Sequence, residues 1–225
     1  MNNSVVSRYR SLMIKSWKDF FPLGTWSLWR HVLRWSGVYR CLVIYGYPLI
    51  REQESARISI KIGELSADQL DEYAVLRPDA DLQSIRHRLI LGHSCTVARL
   101  LSGELIAACW NALDHAFVDF LGCEIEFGKE AVYIYDQFVS KQYRRLGVSE
   151  AIESYTHIQM RDLGIVLNMT AIWPGNHIAV RRMKKRTSRF KIGVIRSYRI
   201  VGWQWHRISL YPSKDAVLLR LVSST

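Results

Sequence analysis

Residues 136–155, DQFVSKQYRRLGVSEAIESY, change from a strand-like pattern to an amphipathic one at a short basic turn. Arg144, Arg145 and Gly147 lie in this turn, just before the helical pattern begins. Unpaired backbone amides at a helix N-terminus carry the positive end of the helix dipole, so such a turn can bind phosphate. Glycine lets a ligand approach the backbone because it has no Cβ. The same pattern is also typical of a solvated basic helix start, and at this point both interpretations stay open.

The order of elements after this turn favours the phosphate interpretation. Residues 165–173, IVLNMTAIW, have the composition of a buried strand, and Pro174 and Gly175 stop it. Asn176 then opens a basic helical stretch that extends to about Arg186. Strand, helix, strand and helix in this order predict two neighbouring parallel strands, each followed by its helix.

The elements that must position these residues follow an α+β order. The run ISIKI predicts a first strand, and two helical patterns follow between Ser66 and Gly92. Two apolar stretches joined by the turn SGE predict a hairpin, and AVYIYDQFV adds a third strand. Helix, strand, helix and two closing strands complete the chain. We therefore predict one mixed β-sheet flanked by helices, in a main domain of residues 56–225.

Residues 1–55 form a separate region, which we predict to be an N-terminal helical appendage. Apolar residues recur every three or four positions from Val5 to Phe21, and a second helical pattern, WSLWRHVLRW, follows. These amphipathic helices either pack across the main core or lie at a membrane surface, where aromatic and basic residues meet lipid headgroups. The run VYRCLVIYGYPLI is too short to span a membrane, and we expect a buried strand or connecting segment there.

The composition restricts the partners and the compartment. The 31 Lys and Arg outnumber the 20 Asp and Glu, and the net charge of +11 favours an anionic partner. The four cysteines show neither CxxC pairing nor metal-ligand spacing, so we predict no metal and a reducing cytoplasm. The sequence has no signal-peptide pattern and no run of eighteen apolar residues. We expect a cytoplasmic protein, with peripheral contact at the inner membrane face as an alternative through the N-terminal helices.

Three segments resemble one known family. FVSKQYRRLGVSEAI resembles the pyrophosphate-binding motif of the GNAT superfamily of acyl-CoA N-acyltransferases, the GCN5-related N-acetyltransferases. VYIYDQFV is similar to the fourth strand of its small-amine acetyltransferases, and WPGNHIAVRRM resembles its Asn-x-x-Ala segment. The resemblance implies a GNAT-like central mixed sheet flanked by helices. It also implies transfer of an acyl group from acetyl-CoA or another acyl-CoA to a primary amine, as in an N-acetyltransferase.

The resemblance further implies which residues bind the donor. Phe138 and Val139 would lie where the fourth strand bulges and diverges from the fifth, hydrogen-bonding the pantetheine arm and polarising the thioester carbonyl. Asn176 and Ala179 would line the far side of that arm, and residues 184–186 would attract the ribose phosphate. Five backbone amides would hold the pyrophosphate of coenzyme A: those of Arg144, Arg145, Gly147, Val148 and Ser149.

The predicted catalytic residues are Asp136 and Tyr135. Asp136 matches an acidic position in the similar strand and is the first candidate for the base that deprotonates the amine, directly or through water. Tyr135 stands at the adjacent position, where relatives often have glutamate, and alternation along a strand predicts that the two side chains face opposite sides of the sheet. The alternative for Asp136 is a structural salt bridge. Asp119, Glu124 and Glu126 are reserve candidates.

Two positions depart from the superfamily pattern. Ser149 stands where Gly or Ala is usual, a small change that still lets the helix approach phosphates. Met183 stands where many relatives have a tyrosine proposed to protonate the departing thiolate, and methionine cannot donate a proton. A thiol has a pKa of about 8.5, so its thiolate can leave without an acid. We assign structural roles to the lone histidines His115, His177 and His206.

Three classes of function stay open from the sequence. The first is the N-acyltransferase described above, with a small-molecule or peptide amine as acceptor. The second keeps the fold but takes a long-chain acyl group from an acidic acyl carrier protein. The third is a non-catalytic basic protein that binds a membrane or nucleic acid, although the absence of a recognised nucleic-acid motif argues against nucleic acid.

Overall fold

The chain divides into two compact units, which the computed structural model describes in part. The larger unit comprises residues 41–195 and 208–225, and the smaller comprises residues 1–40 and 196–207. The predicted boundary between residues 55 and 56 stays a prediction. The helices predicted within residues 1–35 lie outside the described residues and stay a prediction. The structure describes residues 38–49, 53–185, 188–200, 203–211 and 219–221.

Eleven strands and four α-helices lie within the described residues. The helices are α1 (Leu70–Leu76), α2 (Leu82–Ile90), α3 (Val148–Asp162) and α4 (His177–Lys185). The strands are β1 (Tyr39–Pro48), β2 (Ile60–Glu64), β3 (Ser94–Leu100), β4 (Leu105–Leu113), β5 (His115–Val118), β6 (Cys123–Phe127), β7 (Ala131–Val139), β8 (Leu167–Ile172), β9 (Phe190–Ile200), β10 (Trp203–Leu210) and β11 (Leu219–Leu221).

Eight strands form one mixed sheet in the order β10–β9–β1–β8–β7–β4–β3–β2. Strands β7 and β8 are parallel, whereas the pairs β2–β3, β3–β4, β4–β7 and β1–β8 are antiparallel. The segment predicted as a buried strand or connection is therefore a strand, β1, inside the sheet. The predicted α+β class, with a mixed sheet flanked by helices, is confirmed. The hairpin β5–β6, which joins β11 in a separate three-stranded sheet, was not predicted.

The large sheet is covered by helices on both faces. On one face, Val148 and Ile152 of α3 pack against Val132 and Ile134 of β7. On the other face, α1 and α2 cover a cluster that contains Tyr73, Ile85 and Trp110. Burying each large apolar side chain contributes about 1.5–3 kcal/mol, so these two layers fix the helices on the sheet. We call the second face, covered by α1 and α2, the acceptor face.

The described part of the smaller unit is held by aromatic packing. The rings of Tyr39 and Tyr198 lie 5.3 Å apart, and Tyr198 stacks on Trp205 at 5.4 Å. The side chain of Arg199 donates a 2.7 Å hydrogen bond to Gln204 from the neighbouring strand. No helix in the described residues is long and apolar enough to cross a membrane. No cluster of His, Cys, Asp and Glu suited to a metal ion occurs among them either, and the four cysteines are free and buried.

A buried ion cluster joins β1, α3 and α4 in the larger unit. The Tyr47 hydroxyl donates to Oε1 of Glu153 at 2.8 Å, and Arg189 donates to the same oxygen at 3.1 Å. Arg182 donates to Oε2 of Glu153 at 2.8 Å. The side chains of Glu153 and Arg189 are only 4% and 1% exposed. A carboxylate buried this deeply is tolerated because every contact to it is a charged or hydroxyl donor.

Replacing Glu153 tests how much this ion cluster contributes to the stability of the fold. We expect Glu153→Ala to lower the free energy of unfolding by about 3–5 kcal/mol, because it leaves two guanidinium groups without their buried counter-charge. Glu150→Ala is the matched control: Glu150 also pairs with Arg182 but is 37% exposed, so its loss should cost less than about 1 kcal/mol. Urea denaturation measures both, and equal losses would contradict the assignment.

Candidate active site

The basic turn folds into a concave arrangement of backbone amides. After β7 the chain makes a 3₁₀ turn, Lys141–Tyr143, and Gly147 is the N-cap of α3. Arg145 and Gly147 both have left-handed backbones, with φ of 64° and 79°. Left-handed residues interspersed in a turn direct successive N–H groups into one concavity, which is the geometry of an anion-binding nest. Glycine adopts this conformation without the steric cost that other residues have.

The amides at the start of α3 are available to a ligand. Ala151 donates to the Gly147 carbonyl at 2.9 Å, which is the first hydrogen bond of the helix. Among the described residues, the N–H groups of Val148, Ser149 and Glu150 have no hydrogen-bond acceptor, and no side chain caps the helix. These free donors and the helix dipole suit an anion. The local geometry therefore fits the predicted pyrophosphate site.

The strands on either side of this turn diverge. β7 and β8 pair only through residues 131–133 and 167–169. No pairing joins the remaining parts of these two described strands, residues 134–139 and residues 170–172. We call this opening, with the N-terminus of α3 at its end, the donor cleft. The divergence lies where the resemblance implies that a pantetheine arm would pass.

A β-bulge lies in β7 beside the donor cleft. Phe138 is opposite Ala108, but Tyr135 is opposite Trp110, so β7 has two residues where β4 has one. Asp136 is in the bulge and has a left-handed backbone with φ of 46°. A bulge of this kind interrupts the alternation of side chains along a strand.

The bulge corrects the prediction that Tyr135 and Asp136 face opposite sides of the sheet. Arg88 contacts both residues from α2: its guanidinium lies 5.1 Å from the centre of the Tyr135 ring and 2.9 Å from Oδ2 of Asp136. Both side chains therefore lie on the acceptor face. The prediction was wrong because it assumed an unbroken strand.

Two arginines form salt bridges with the carboxylate of Asp136. Arg77, which follows α1, donates to Oδ1 at 2.9 Å, and Arg88 donates to Oδ2 at 2.9 Å. Burial raises the pKa of Asp136, but the hydrogen bonds from Arg88 and Arg77 more than offset this, so the pKa lies below its ordinary value. The carboxylate is thus ionised but weakly basic. Its role as the base stays a prediction.

Tyr135 is engaged by a histidine that the sequence analysis did not single out. The Tyr135 hydroxyl lies 2.6 Å from Nδ1 of His93, which is 7% exposed. The two rings meet edge-on, and Tyr135 also packs beside Trp110 and Tyr133. Forty-two residues separate His93 from Tyr135, and nothing in the sequence around His93 distinguishes it from a structural histidine.

The predicted donor-binding residues outside the turn lie at the end of β7 and at the start of α4. Phe138 is half-buried beneath the guanidinium groups of Arg77 and Arg144, at 4.8 and 5.9 Å from its ring centre. The Val139 carbonyl accepts a 3.0 Å hydrogen bond from Arg144. At the start of α4, Oδ1 of Asn176 accepts from the amide of Ala179 at 3.1 Å and so caps the helix.

Arg182 is a second residue that sequence reasoning missed. Its Nη1 donates to the Ser149 hydroxyl at 2.8 Å and to Oε1 of Gln137 at 3.3 Å. It thus links α4 to the first turn of α3 and to the bulge of β7. The only sequence signal is that Arg182 follows Ala179 by three residues and so shares its face of the helix.

The other predicted candidates have different surroundings. Met183 is buried in a cluster with Tyr45 and Tyr47. Asp119 forms a salt bridge with Arg88 at 3.2 Å. The two remaining reserve candidates lie on β6, in the separate three-stranded sheet: Glu124 and Glu126.

Comparison with known proteins bears on the fold. No family model and no curated protein matches the chain. Among solved structures, the chain is similar to a GCN5-related glucosamine N-acetyltransferase region of a fungal multi-domain β-N-acetylglucosaminidase, with 14% identity and a TM-score of 0.51, over 80% of this chain and 23% of that one. The chain has the GNAT fold.

Two further solved structures are more distant in shape. A functionally unknown conserved protein from Staphylococcus epidermidis has 12% identity and a TM-score of 0.48, over 73% of this chain and 62% of that one. An aminoglycoside 6'-N-acetyltransferase from Acinetobacter baumannii has 16% identity and a TM-score of 0.46, over 70% and 99%. The chain thus spans less than two thirds of the length of the first two structures in this comparison.

The salt bridges of Asp136 predict a pH-dependent contribution to stability. At pH 7 we expect Asp136→Asn to lower the free energy of unfolding by about 2–3 kcal/mol, since hydrogen bonds to charged groups contribute about 1.5–3 kcal/mol each. The pKa of Asp136 is lowered on folding, so this contribution is present above the unfolded pKa of about 3.9 and is lost as pH falls through the folded pKa.

Urea denaturation of both proteins at pH 7 and at pH 3 measures this difference. The gap between wild type and Asp136→Asn should narrow at the lower pH. Asp71→Asn, which removes an exposed carboxylate of α1, is the control and should change stability little at either pH. A gap of the same size at both values of pH would contradict the prediction.

Proposed function

We propose that the chain is an acyl-CoA-dependent N-acyltransferase that transfers an acyl group, acetyl in the first instance, to a primary amine. One observation carries the proposal: a row of free backbone amides lies at the end of a cleft between two diverging parallel strands, with a bulge beside it. Each feature alone is weak support. Together they supply an anion site, an extended channel and a reaction centre in the order that a thioester of coenzyme A needs.

The donor fits the residues of the cleft. The amides of Arg145, Gly147, Val148 and Ser149 would hold the pyrophosphate. The fifth predicted amide, that of Arg144, donates to the Lys141 carbonyl at 3.4 Å, and the exposed side chain of Arg144 adds positive charge nearby. The diverging edges of β7 and β8, with Phe138 and Val139, would take the pantetheine arm. The far wall would come from α4, where Asn176 and Ala179 lie. The donor supplies an activated acyl group and a thiolate leaving group.

Direct attack by the amine requires its neutral form. Deprotonating an amine of pKa about 10.4 at pH 7 costs roughly 4–5 kcal/mol, so a proton acceptor near the bulge would raise the rate. Asp136 and Tyr135 are the two groups of the bulge that could serve. No acid from α4 is expected at position 183, because Met183 is buried and has no proton to donate.

The acceptor is proposed as a small amine. The fungal region that shares the fold is named a glucosamine N-acetyltransferase, which makes amino sugars the first acceptors to test. At the rim of the acceptor face, Asp79 and Asp119 are both 73% exposed. Their carboxylates would attract an ammonium group, which is consistent with a cationic acceptor.

A thiol-release assay tests the proposal. Acetyl-CoA, longer acyl-CoA donors and acyl carrier protein carrying a long-chain acyl group would be compared against glucosamine, other amines and peptides. We expect free thiol from an acyl-CoA donor only when an amine is present. Thiol release with the acyl carrier protein donor, and with no acyl-CoA donor, would instead favour the long-chain alternative. The proposal fails if no donor gives thiol and calorimetry detects no binding of coenzyme A.

Gly147 should control donor affinity. A Cβ there would make ordinary contacts at 3.4 Å with the backbone of Ser55 and Ala56, but a φ of 79° is strained for any residue with a Cβ, so Gly147→Ala strains the turn that carries the amides. We expect the Kd for coenzyme A to rise about tenfold, a loss of about 1.4 kcal/mol. Gly164→Ala is a matched control, because Gly164 has φ of 82° at the other end of α3 and open space around its Cβ. Isothermal calorimetry should show no change in Kd for the control, and similar losses in both variants would contradict this role.

A further inference from the structure

Two candidate proton acceptors lie at the bulge, and one of them, Asp136, is stabilised in its charged form by two salt bridges. Both oxygens of Asp136 receive a guanidinium N–H at 2.9 Å, one from Arg77 and one from Arg88. Each oxygen keeps a further lone pair, but the two guanidinium groups stabilise the negative charge and so lower the basicity of this carboxylate. The adjacent hydroxyl of Tyr135 has one described hydrogen-bond partner, His93, so one side of its oxygen remains for another hydrogen bond.

His93 is buried and lies within hydrogen-bond distance of Tyr135. It directly precedes β3, and Nδ1 lies 2.6 Å from the Tyr135 oxygen across the neighbouring strand β4. The ring is 7% exposed, and its Nε2 is buried with no hydrogen-bond partner in the described structure. Buried polar atoms without partners are uncommon, and an orphaned ring nitrogen beside a bulge suggests a group retained for reactivity.

The surroundings of His93 keep the imidazole neutral. Burial lowers its pKa to about 4, and the neighbouring charges act in the same direction. At neutral pH the ring is therefore uncharged, with one nitrogen that donates a hydrogen bond and one that accepts. The titratable and charged groups around the pair come from several elements: His115 on β5, Arg88 and His87 on α2, Cys95 on β3, and Tyr133 and Asp136 on β7.

We propose that the Tyr135 hydroxyl accepts the proton of the acceptor amine and that His93 is its positioning residue. This inference rests on the N-acyl transfer proposed above. The amine nitrogen bonds to the thioester carbonyl carbon while its proton passes to the Tyr135 oxygen, and the original hydroxyl proton of Tyr135 passes to the departing sulfur. The carbon–sulfur bond breaks with its electron pair on sulfur, so the products are an amide and a thiol and Tyr135 is again a neutral hydroxyl. His93 holds the Tyr135 hydroxyl in place through the 2.6 Å hydrogen bond and stays neutral throughout.

Asp136 has a structural role in this mechanism. Its carboxylate holds Arg88, and the guanidinium of Arg88 lies over both the Tyr135 and Trp110 rings, at 5.1 and 5.4 Å. Asp136 therefore fixes the guanidinium that covers the Tyr135 ring. A loss of activity in an Asp136 variant alone would not separate a base from this supporting role, so the test must compare residues.

The experiment measures kcat for thiol release and the Kd for coenzyme A in the full chain. Tyr135→Phe removes one oxygen, and we expect kcat to fall about 100-fold, which is the lower part of the range for acid–base catalysis, with an unchanged Kd. Tyr133→Phe is the matched control: Tyr133 stacks on Tyr135 at 5.4 Å and is buried, and its variant should keep the kcat of the wild type.

Variants of His93 separate positioning from packing. We expect His93→Phe to lower kcat about as much as Tyr135→Phe, and the double variant to be no slower than either single variant, because the two residues act as a unit. His93→Gln keeps a hydrogen-bonding group near Tyr135 and should restore part of the activity. If His93→Phe does not fold, the kcat of His93→Gln still tests the role of His93.

The outcomes are distinct. A kcat for Tyr135→Phe equal to that of the wild type, or losses that add in the double variant, would overturn the inference and leave the proposed function in place. Equal losses in Tyr133→Phe and Tyr135→Phe would overturn it as well, because packing alone would then account for both. A wild type that binds no coenzyme A and releases no thiol with any amine overturns the proposed function and the inference with it.

Discussion

One carboxylate shared by two guanidinium groups holds the acceptor face together. Asp136 takes a left-handed backbone, which costs a residue with a Cβ about 1–2 kcal/mol. The salt bridges to Arg77 and Arg88 offset that cost, since both are shielded and well aligned. They also reach across 59 and 48 residues of sequence, so the same carboxylate fixes α1 and α2 on the sheet.

The bulge that these salt bridges stabilise shapes both sides of the candidate site. It places Tyr135 and Asp136 on one face, where His93 and Arg88 reach them. A bulge also increases the local twist of its strand. The last residue of β7 that pairs with β8 is Tyr133, two residues before Tyr135. The donor cleft and the acceptor face are thus two results of one irregularity in β7.

The sequence predicted those parts of the structure that are encoded within short segments of the chain. A glycine before an apolar-striped helix, and a Pro-Gly stop before a basic helix, encode the donor side within short segments, so its strands and helices could be predicted. The acceptor face depends on contacts between distant residues, such as His93 with Tyr135 or Arg88 with Asp136, which no spacing reveals. The bulge itself was implied only by resemblance, and alternation along a regular strand predicted the wrong face for one of its residues. Strand β1 was recognisable as apolar, but its position between β8 and β9 is a property of the whole sheet.

The net charge of the chain says little about how the donor cleft would bind an anion. Arg182 contacts the first turn of α3 through the Ser149 hydroxyl, yet its Nη2 is paired with Glu150 and Glu153, at 3.3 and 2.8 Å. Its charge is largely balanced inside the protein. In the proposed donor site, anion affinity would therefore come mainly from the backbone amides and the dipole of α3, with the exposed Arg144 and Arg145 adding a screened attraction. Such a site depends on the shape of the turn, which is why a glycine matters there more than the excess of basic residues that first suggested an anionic partner.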